Sequence, residues 1–240
     1  MTAAAATATA AAATAGIAVF VKTPGYSPLK TRLAEAIGQE AAEAFHRHAA
    51  AAVADVVIQA QAAMEGLVAY WAVAEPEALD ASIWRAMPRI PQGEGDLGAR
   101  MRHVCGTLLA RHGRAVLIGA DAPQLRAEDL LAACAALDAH AHALGPSEDG
   151  GFWLFATRVA VPDAAWSDTP WSQADTAVRF VDALGVDALG DATIATLRPL
   201  CDVDTVEDLA ALAEALHALS APTPTQAALA TWLRGLPAPV

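Results

Sequence analysis

The sequence predicts an α/β protein, a three-layer α/β/α sandwich around a mostly parallel sheet, with residues 16–240 folded as one domain. Three observations carry this. Short apolar runs without alternation, such as residues 116–119, read as strands buried on both faces. Longer stretches between them have helical periodicity, and strands alternating with helices favour parallel crossovers. The 240 residues are 55% hydrophobic, enough for a sizeable core, and no Ser/Gly/Pro linker or charge block divides them.

In chain order, residues 1–15 (MTAAAATATAAAATA) read as a disordered, low-complexity leader. They lack the basic n-region and strong apolar h-region of a secretory signal. GIAVFV (16–21) is the first strand, and Pro24, Gly25, Ser27 and Pro28 force a loop before a helix begins at Thr31. Gly38 punctuates, and 39–63 is a long alanine-rich helix. A strand at 67–74, a short helix at 77–84 and a short strand at 90–92 follow, then a helix over 97–111 closed by His112-Gly113. The central strand 116–119 ends at Asp121 and at Pro123, which cannot continue a ladder. Beyond it come a helix at 127–138, strands at 141–145 and 152–156 around a GPSEDGG turn, and a helix at 171–184. A late strand at 197–203 and helices at 205–216 and 225–233 close the chain.

Composition excludes several functions. No apolar run approaches the roughly 20 residues of a membrane span. A formal net charge of −12 argues against nucleic acid, which needs a basic face. Cys105, Cys134 and Cys201 lie far apart, without disulfide or zinc spacing, and read as reduced residues of a cytoplasmic protein. An anionic small molecule needs a local basic cluster, and one exists. Of 15 basic residues only two are lysines, Lys22 and Lys30, and both flank one loop with Arg32.

That loop is the first chemical constellation. Lys22, Lys30, Thr31 and Arg32 at a helix start suit a di- or triphosphate, because free N–H groups and the helix dipole already favour anions. The spacing is not that of a P-loop, and solvated surface charge is the bland alternative. The second constellation is Asp121 with Asp202 and Asp204. In open α/β sheets ligands bind beyond the carboxyl ends of strands. If the late strand persists, Asp202 and Asp204 share a face. Three carboxylates would form an all-oxygen site for Mg²⁺ or Mn²⁺. Alternatively Asp121 caps a turn, and Thr205 or Asp204 caps the next helix. The third is the turn Glu148-Asp149-Gly150-Gly151, either an acceptor-binding loop or a bare hairpin turn.

Gly93-Glu-Gly-Asp-Leu-Gly98 matches the dinucleotide fingerprint literally. It follows a poor strand and carries acidic residues that would repel a pyrophosphate, so a nicotinamide site is set aside. The seven histidines read as surface or satisfied groups, and Ser147 lacks a nucleophile-elbow context.

FVKTPGYSPLKTRLAEAIG, QGEGDLGARM, LIGADAPQL, LGPSEDGGFWLFA, Trp171-Ser172 and CDVDTVEDL occur in order between Gly16 and Leu209. In this the chain resembles the radical-SAM/selenodomain-associated transferases, glycosyltransferase-like proteins similar to the molybdenum-cofactor and phospholactate nucleotidyltransferases. The resemblance implies a GT-A-like nucleotide-diphospho-sugar transferase fold. It implies phosphate contacts from Lys22, Lys30 and Arg32, metal ligation by Asp121, Asp202 and Asp204, and a Gly150-Gly151 turn facing the acceptor. Two departures stand out. Prolines and lysines replace the G-G-x-G-x-R loop of nucleotidyltransferases, and Ser27 stands where many relatives carry glycine.

The expected activity is metal-dependent transfer from an activated nucleotide, with Asp121, Lys22 and Arg32 as catalytic residues. The missing glycine loop favours glycosyl transfer from a nucleotide sugar to an unknown small acceptor. Nucleotidyl transfer from an NTP with pyrophosphate release is the alternative, and nucleotide binding without catalysis a further one.

Overall fold

The computed structural model describes residues 14–185 and 193–236. Residues 1–13 of the expected leader lie outside this range, and Ala15 already belongs to the first strand.

Seven strands form one sheet in the order β3-β2-β1-β4-β6-β5-β7. β1 (Ala15–Val21) pairs in parallel with β2 (Leu67–Val73) and β4 (Ala115–Gly119), and β2 with β3 (Arg89–Pro91). β6 (Phe152–Thr157) runs antiparallel to both β4 and β5 (His142–Pro146), while β5 pairs in parallel with β7 (Ile194–Thr196). The mostly parallel sandwich is what the sequence predicts. A hairpin inserts the single reversed strand, because a short turn joins antiparallel neighbours without a crossover.

The pleat of β1 sorts the layers. Ile17, Val19 and Val21 face α2 (Gln39–Ala63) and α4 (Ala127–Ala139). Ala18 and Phe20 face α3 (Leu97–His112), α5 (Asp163–Ser167) and α6 (Thr176–Ala183). A satellite core joins α1 (Thr31–Ile37) and α2 to α7 (Asp208–His217) and α8 (Pro224–Arg234) through Leu33, Phe45, Leu212, Leu216 and Leu229. Among the described residues no helix is long and apolar enough to cross a membrane, and all three cysteines are free.

Four expectations need correction. The helix over 77–84 is instead two 3-10 turns, Pro76–Ala78 and Ser82–Trp84. The helix over 171–184 begins only at Thr176, whose single hydroxyl proton is shared between the Pro170 and Gln173 carbonyls at 2.9 and 2.8 Å and closes an irregular turn. The helix over 205–216 starts at Asp208. The late strand over 197–203 is absent: β7 ends at Thr196, and only an isolated bridge between Leu200 and Ser147 follows. Pro199, which offers no N–H, interrupts the would-be ladder.

Candidate active site

A cavity of about 880 Å³ opens at the carboxyl ends of β1 and β4. Its charged and polar lining includes Lys22, Lys30, Thr31, Arg32, Asp121 and Asp204. The wall also carries apolar side chains, Phe20, Leu97, Met101, Leu117 and Phe152, with Asp96 and Arg100 beside them in the chain.

Lys30 organises the charged lining. As N-cap of α1 it adopts φ 48°, ψ 41°, a left-handed conformation uncommon outside glycine. Its side chain is only 6% exposed, and its ammonium lies 2.9 Å from Asp121 Oδ1 and 3.1 Å from Asp204 Oδ1. It also donates to the Val203 carbonyl. Burial alone would lower its pKa, but the charges of Asp121 and Asp204 outweigh that and hold it above its ordinary value. An ammonium has three donors, and these contacts use all of them.

The other cations on the cavity wall are Lys22, Arg32 and Arg100, the last donating through Nε to the Gly95 carbonyl at 2.9 Å. Lys22 is exposed and donates to the Pro28 carbonyl at 3.3 Å. The Arg32 side chain is 67% exposed and reaches Asp204 Oδ2 at 2.6 Å.

The loop between Lys22 and Lys30 is fastened by Glu75 and Trp84, which sequence reasoning passed over, and by His46. Buried Glu75 accepts from the Thr23 N–H at 2.8 Å and from the Ser27 hydroxyl. Trp84 Nε1 donates to the Thr23 hydroxyl at 3.0 Å. His46 Nε2 donates to the Lys22 carbonyl at 2.9 Å, and burial lowers its pKa, favouring the neutral ring. His46 is thus satisfied, as expected, yet it lines the cavity.

Asp121 is reached through an anchored turn. Its carbonyl accepts from Val203 N at 3.0 Å, and buried Gln226 of α8 donates to the carbonyls of Pro123 and Leu125 at 2.8 and 2.9 Å. Asp121 therefore does not cap α4; Asp129 does, by bonding back to Arg126 N.

The three aspartates do not converge on one point. Asp121 and Asp204 share Lys30, whereas Asp202 lines a second recess of about 290 Å³ with Glu148, Asp149 and Asp208. Without a late strand, the alternation that would align Asp202 with Asp204 is lost. Burial, then the Asp149 charge, pushes the Asp202 carboxyl up to about 6. Among the described residues no three His, Cys, Asp or Glu side chains are grouped to hold a metal ion. The Thr205 turn is held by Asp208, whose carboxylate accepts from Asp204 N, Thr205 N and the Thr205 hydroxyl.

Glu148 and Asp149 face the second recess, which shares Asp204 and Arg32 with the main cavity. Gly150 and Gly151 line neither and form the β5–β6 hairpin turn instead. Gly150 has φ 88°, and a Cβ there would strike the Ala174 carbonyl, so the residue serves close packing. The glycines at 93–98 have local roles too. Asp96 caps α3 by accepting from Ala99 N at 2.9 Å, and a Cβ on Gly98 would meet the Trp166 carbonyl and the Trp171 ring.

Comparison with known proteins agrees with this architecture. A crystal structure of a candidate nucleotide-diphospho-sugar transferase from Desulfovibrio desulfuricans G20 is 25% identical, with a TM-score of 0.78 over 92% of this chain and 95% of that one. Rv0371c from Mycobacterium tuberculosis H37Rv is 17% identical, with a TM-score of 0.52 over 85% of this chain and 100% of that one. CMP:2-keto-3-deoxy-manno-octonic acid synthetase, solved with CTP, is 14% identical, with a TM-score of 0.50 over 83% and 96%. No curated protein matches the sequence. The fold is that of the nucleotide-diphospho-sugar transferases and related nucleotidyltransferases. The family model for DUF2064, an uncharacterized protein conserved in bacteria, matches residues 52–173, and the chain belongs to that family.

Proposed function

We propose that the protein is a transferase that binds an activated nucleotide in the main cavity, with transfer of a sugar from a nucleotide sugar as the preferred reaction. The observation that carries this reading is one cavity, at the strands' carboxyl ends, lined both by the basic side chains of Lys22, Lys30 and Arg32 and by apolar ones such as Phe20, Met101 and Phe152. A nucleotide needs both kinds of surface, cations for its phosphates and apolar contact for its base. The similar Desulfovibrio protein, described as a candidate nucleotide-diphospho-sugar transferase, adds support. The proline-rich loop between Lys22 and Lys30, in place of a glycine-rich one, weighs against nucleotidyl transfer.

In this reading Lys22 and Arg32 bind the diphosphate. They also stabilise the charge that develops on the leaving group, which is usually where enzymes lower the barrier of such transfers most. Lys30 offsets the repulsion between Asp121 and Asp204. The donor set suits a hard cation: Asp121 keeps one carboxylate oxygen without a partner among the described residues, and its side chain is 41% exposed. Asp121 and Asp204 would hold Mg²⁺ or Mn²⁺, which when bound supplies further neutralisation of the diphosphate. Asp202, in the neighbouring recess, would contribute less directly. The acceptor would enter that recess, where Glu148 or Asp149 would take the proton from its hydroxyl.

The test is a thermal-shift panel of NTPs, nucleoside diphosphates and nucleotide sugars, each with and without Mg²⁺ or Mn²⁺. A ligand at 100 times its dissociation constant adds about 2.7 kcal/mol. Larger stabilisation by a nucleotide sugar plus metal than by every NTP supports the proposal. A preference for an NTP, with pyrophosphate release, favours nucleotidyl transfer. If no nucleotide stabilises the protein, the reading fails.

A further inference from the structure

Arg32 stands at the boundary between the two cavities and lines both. It is the second residue of α1, and its side chain is exposed. Among the described residues its one side-chain hydrogen bond runs from Nη2 to Asp204 Oδ2 at 2.6 Å. The other Asp204 oxygen accepts from Lys30 at 3.1 Å. Both oxygens of this carboxylate therefore face a cation.

The two cations differ in how firmly they are placed. Lys30 is buried and spends its three donors on Asp121, Asp204 and the Val203 carbonyl. Asp204 is fixed from its backbone, whose N–H donates to Asp208 Oδ2 at 2.9 Å. Arg32 has one exposed ion pair, a kind of contact that contributes little because both partners are well solvated apart. Of the four groups, Arg32 is the one free to leave. While it stays, two cations balance the two carboxylates of Asp121 and Asp204, and a dication approaching Asp204 meets an ammonium and a guanidinium. Its departure leaves two carboxylates against one ammonium and uncovers Asp204 Oδ2, the excess of negative oxygen that a hard dication needs.

We infer that Arg32 is an exchangeable latch: it closes Asp204 to metal in the free protein and moves to the diphosphate when nucleotide and metal bind together. This rests on the nucleotide and metal reading above and adds an order to it. Metal alone binds poorly, and the diphosphate admits it by drawing the guanidinium off Asp204. The exchange is favourable because a guanidinium fork meets phosphate oxygens with two parallel hydrogen bonds, where Asp204 receives one.

The experiment is titration with Mn²⁺ alone, read by the paramagnetic resonance of the free ion, on wild type, Arg32→Gln, Lys22→Gln, Asp204→Asn and the Arg32→Gln/Asp204→Asn double variant. Arg32→Gln should bind Mn²⁺ about tenfold more tightly than wild type, an ordinary size for coupling between sites. The same variant should bind a nucleoside diphosphate without metal more weakly than wild type. Lys22→Gln removes an equal charge that does not touch Asp204, and should change Mn²⁺ affinity by less than about threefold. In the Asp204→Asn background the gain from Arg32→Gln should vanish. Unchanged or weaker Mn²⁺ binding by Arg32→Gln overturns the inference. An equal gain from Lys22→Gln, or a gain that survives Asp204→Asn, overturns it too, because the effect is then one of overall charge. If Arg32→Gln does not fold, the Arg32 Nε resonance in ¹⁵N spectra of wild type decides the same point. It should move with a nucleoside diphosphate plus Mg²⁺ and much less with Mg²⁺ alone, and equal movement is contrary. Mn²⁺ that binds no variant sinks the metal site and the latch together. Failure of every nucleotide to bind sinks the underlying reading instead, while the Mn²⁺ comparison still decides whether Arg32 closes Asp204.

Discussion

Lys30 is the residue on which the charged lining of the cavity depends. Its ammonium holds two carboxylates and the Val203 carbonyl together, so Lys30→Met leaves Asp121 and Asp204 facing each other without a counter-charge. Removing one partner of a buried ion pair is costly; because both aspartates are partly exposed here, a loss of about 2–3 kcal/mol is expected by denaturant titration. The pH dependence has a definite sign. The folded pKa of Lys30 is raised, so its contribution is fully present below the unfolded value near 10.5 and is lost as pH rises through the folded pKa. The excess stability of wild type over Lys30→Met should thus stay flat through neutral pH and shrink only in strong base. Asp121→Asn is milder, since Lys30 keeps Asp204 and Val203. It should lower turnover about 100-fold or more while moving Tm little. A large Tm drop without specific loss of turnover would assign Asp121 to structure alone.

Among the elements, α4 is tied to the chain beyond β7 by one buried carboxylate. Asp129 accepts from Arg126 within its own turn and from Arg198 Nε and Nη2 at 3.1 and 2.5 Å. Burial would raise its pKa, but the Arg198 and Arg126 hydrogen bonds prevail and keep it below the ordinary value. Its contribution is present above an unfolded pKa near 3.9 and is lost as pH falls through the lower folded value. Asp129→Asn should cost roughly 1.5–3 kcal/mol at pH 7, and the gap from wild type should close in strong acid. A second element-scale prediction concerns α3 against α5. Gly98→Ala pushes a methyl into the Trp166 carbonyl and the Trp171 ring, and should destabilise by about 1–3 kcal/mol in thermal unfolding.

Across the whole molecule, the frame was legible and the fine geometry of the site was not. β1, β2 and β4 announce themselves because uninterrupted apolar runs have few other uses, and the long helices because their spacing persists over many turns. The stretch 197–203 misled because its apolar residues look like a ladder, whereas Leu200 makes a lone bridge. That error also removes the strand alternation offered for pairing Asp202 with Asp204, although both still line the second recess. Lys22, Arg32, Asp121 and Asp204, which all line the main cavity, stand out in the chain itself because charge beside a strand end is visible there. Glu75 and Trp84 were missed because their roles lie in bonds to residues 48 to 61 positions away, which no local pattern records. The net charge of −12 adds a molecular-scale consequence. Under the proposed function a nucleotide would approach against an unfavourable overall field and find a small cationic patch, so anion affinity should depend heavily on Lys22 and Arg32.

That dependence is the most direct test of the account. Calorimetric titration of a nucleotide sugar with Mg²⁺ into wild type, Lys22→Ala, Arg32→Ala and the double variant measures it. Each single change should weaken binding about tenfold, as loss of a charge-assisted hydrogen bond does, with circular dichroism unchanged. Wild-type affinity in the folded double variant would contradict the claim that this cavity is the nucleotide site.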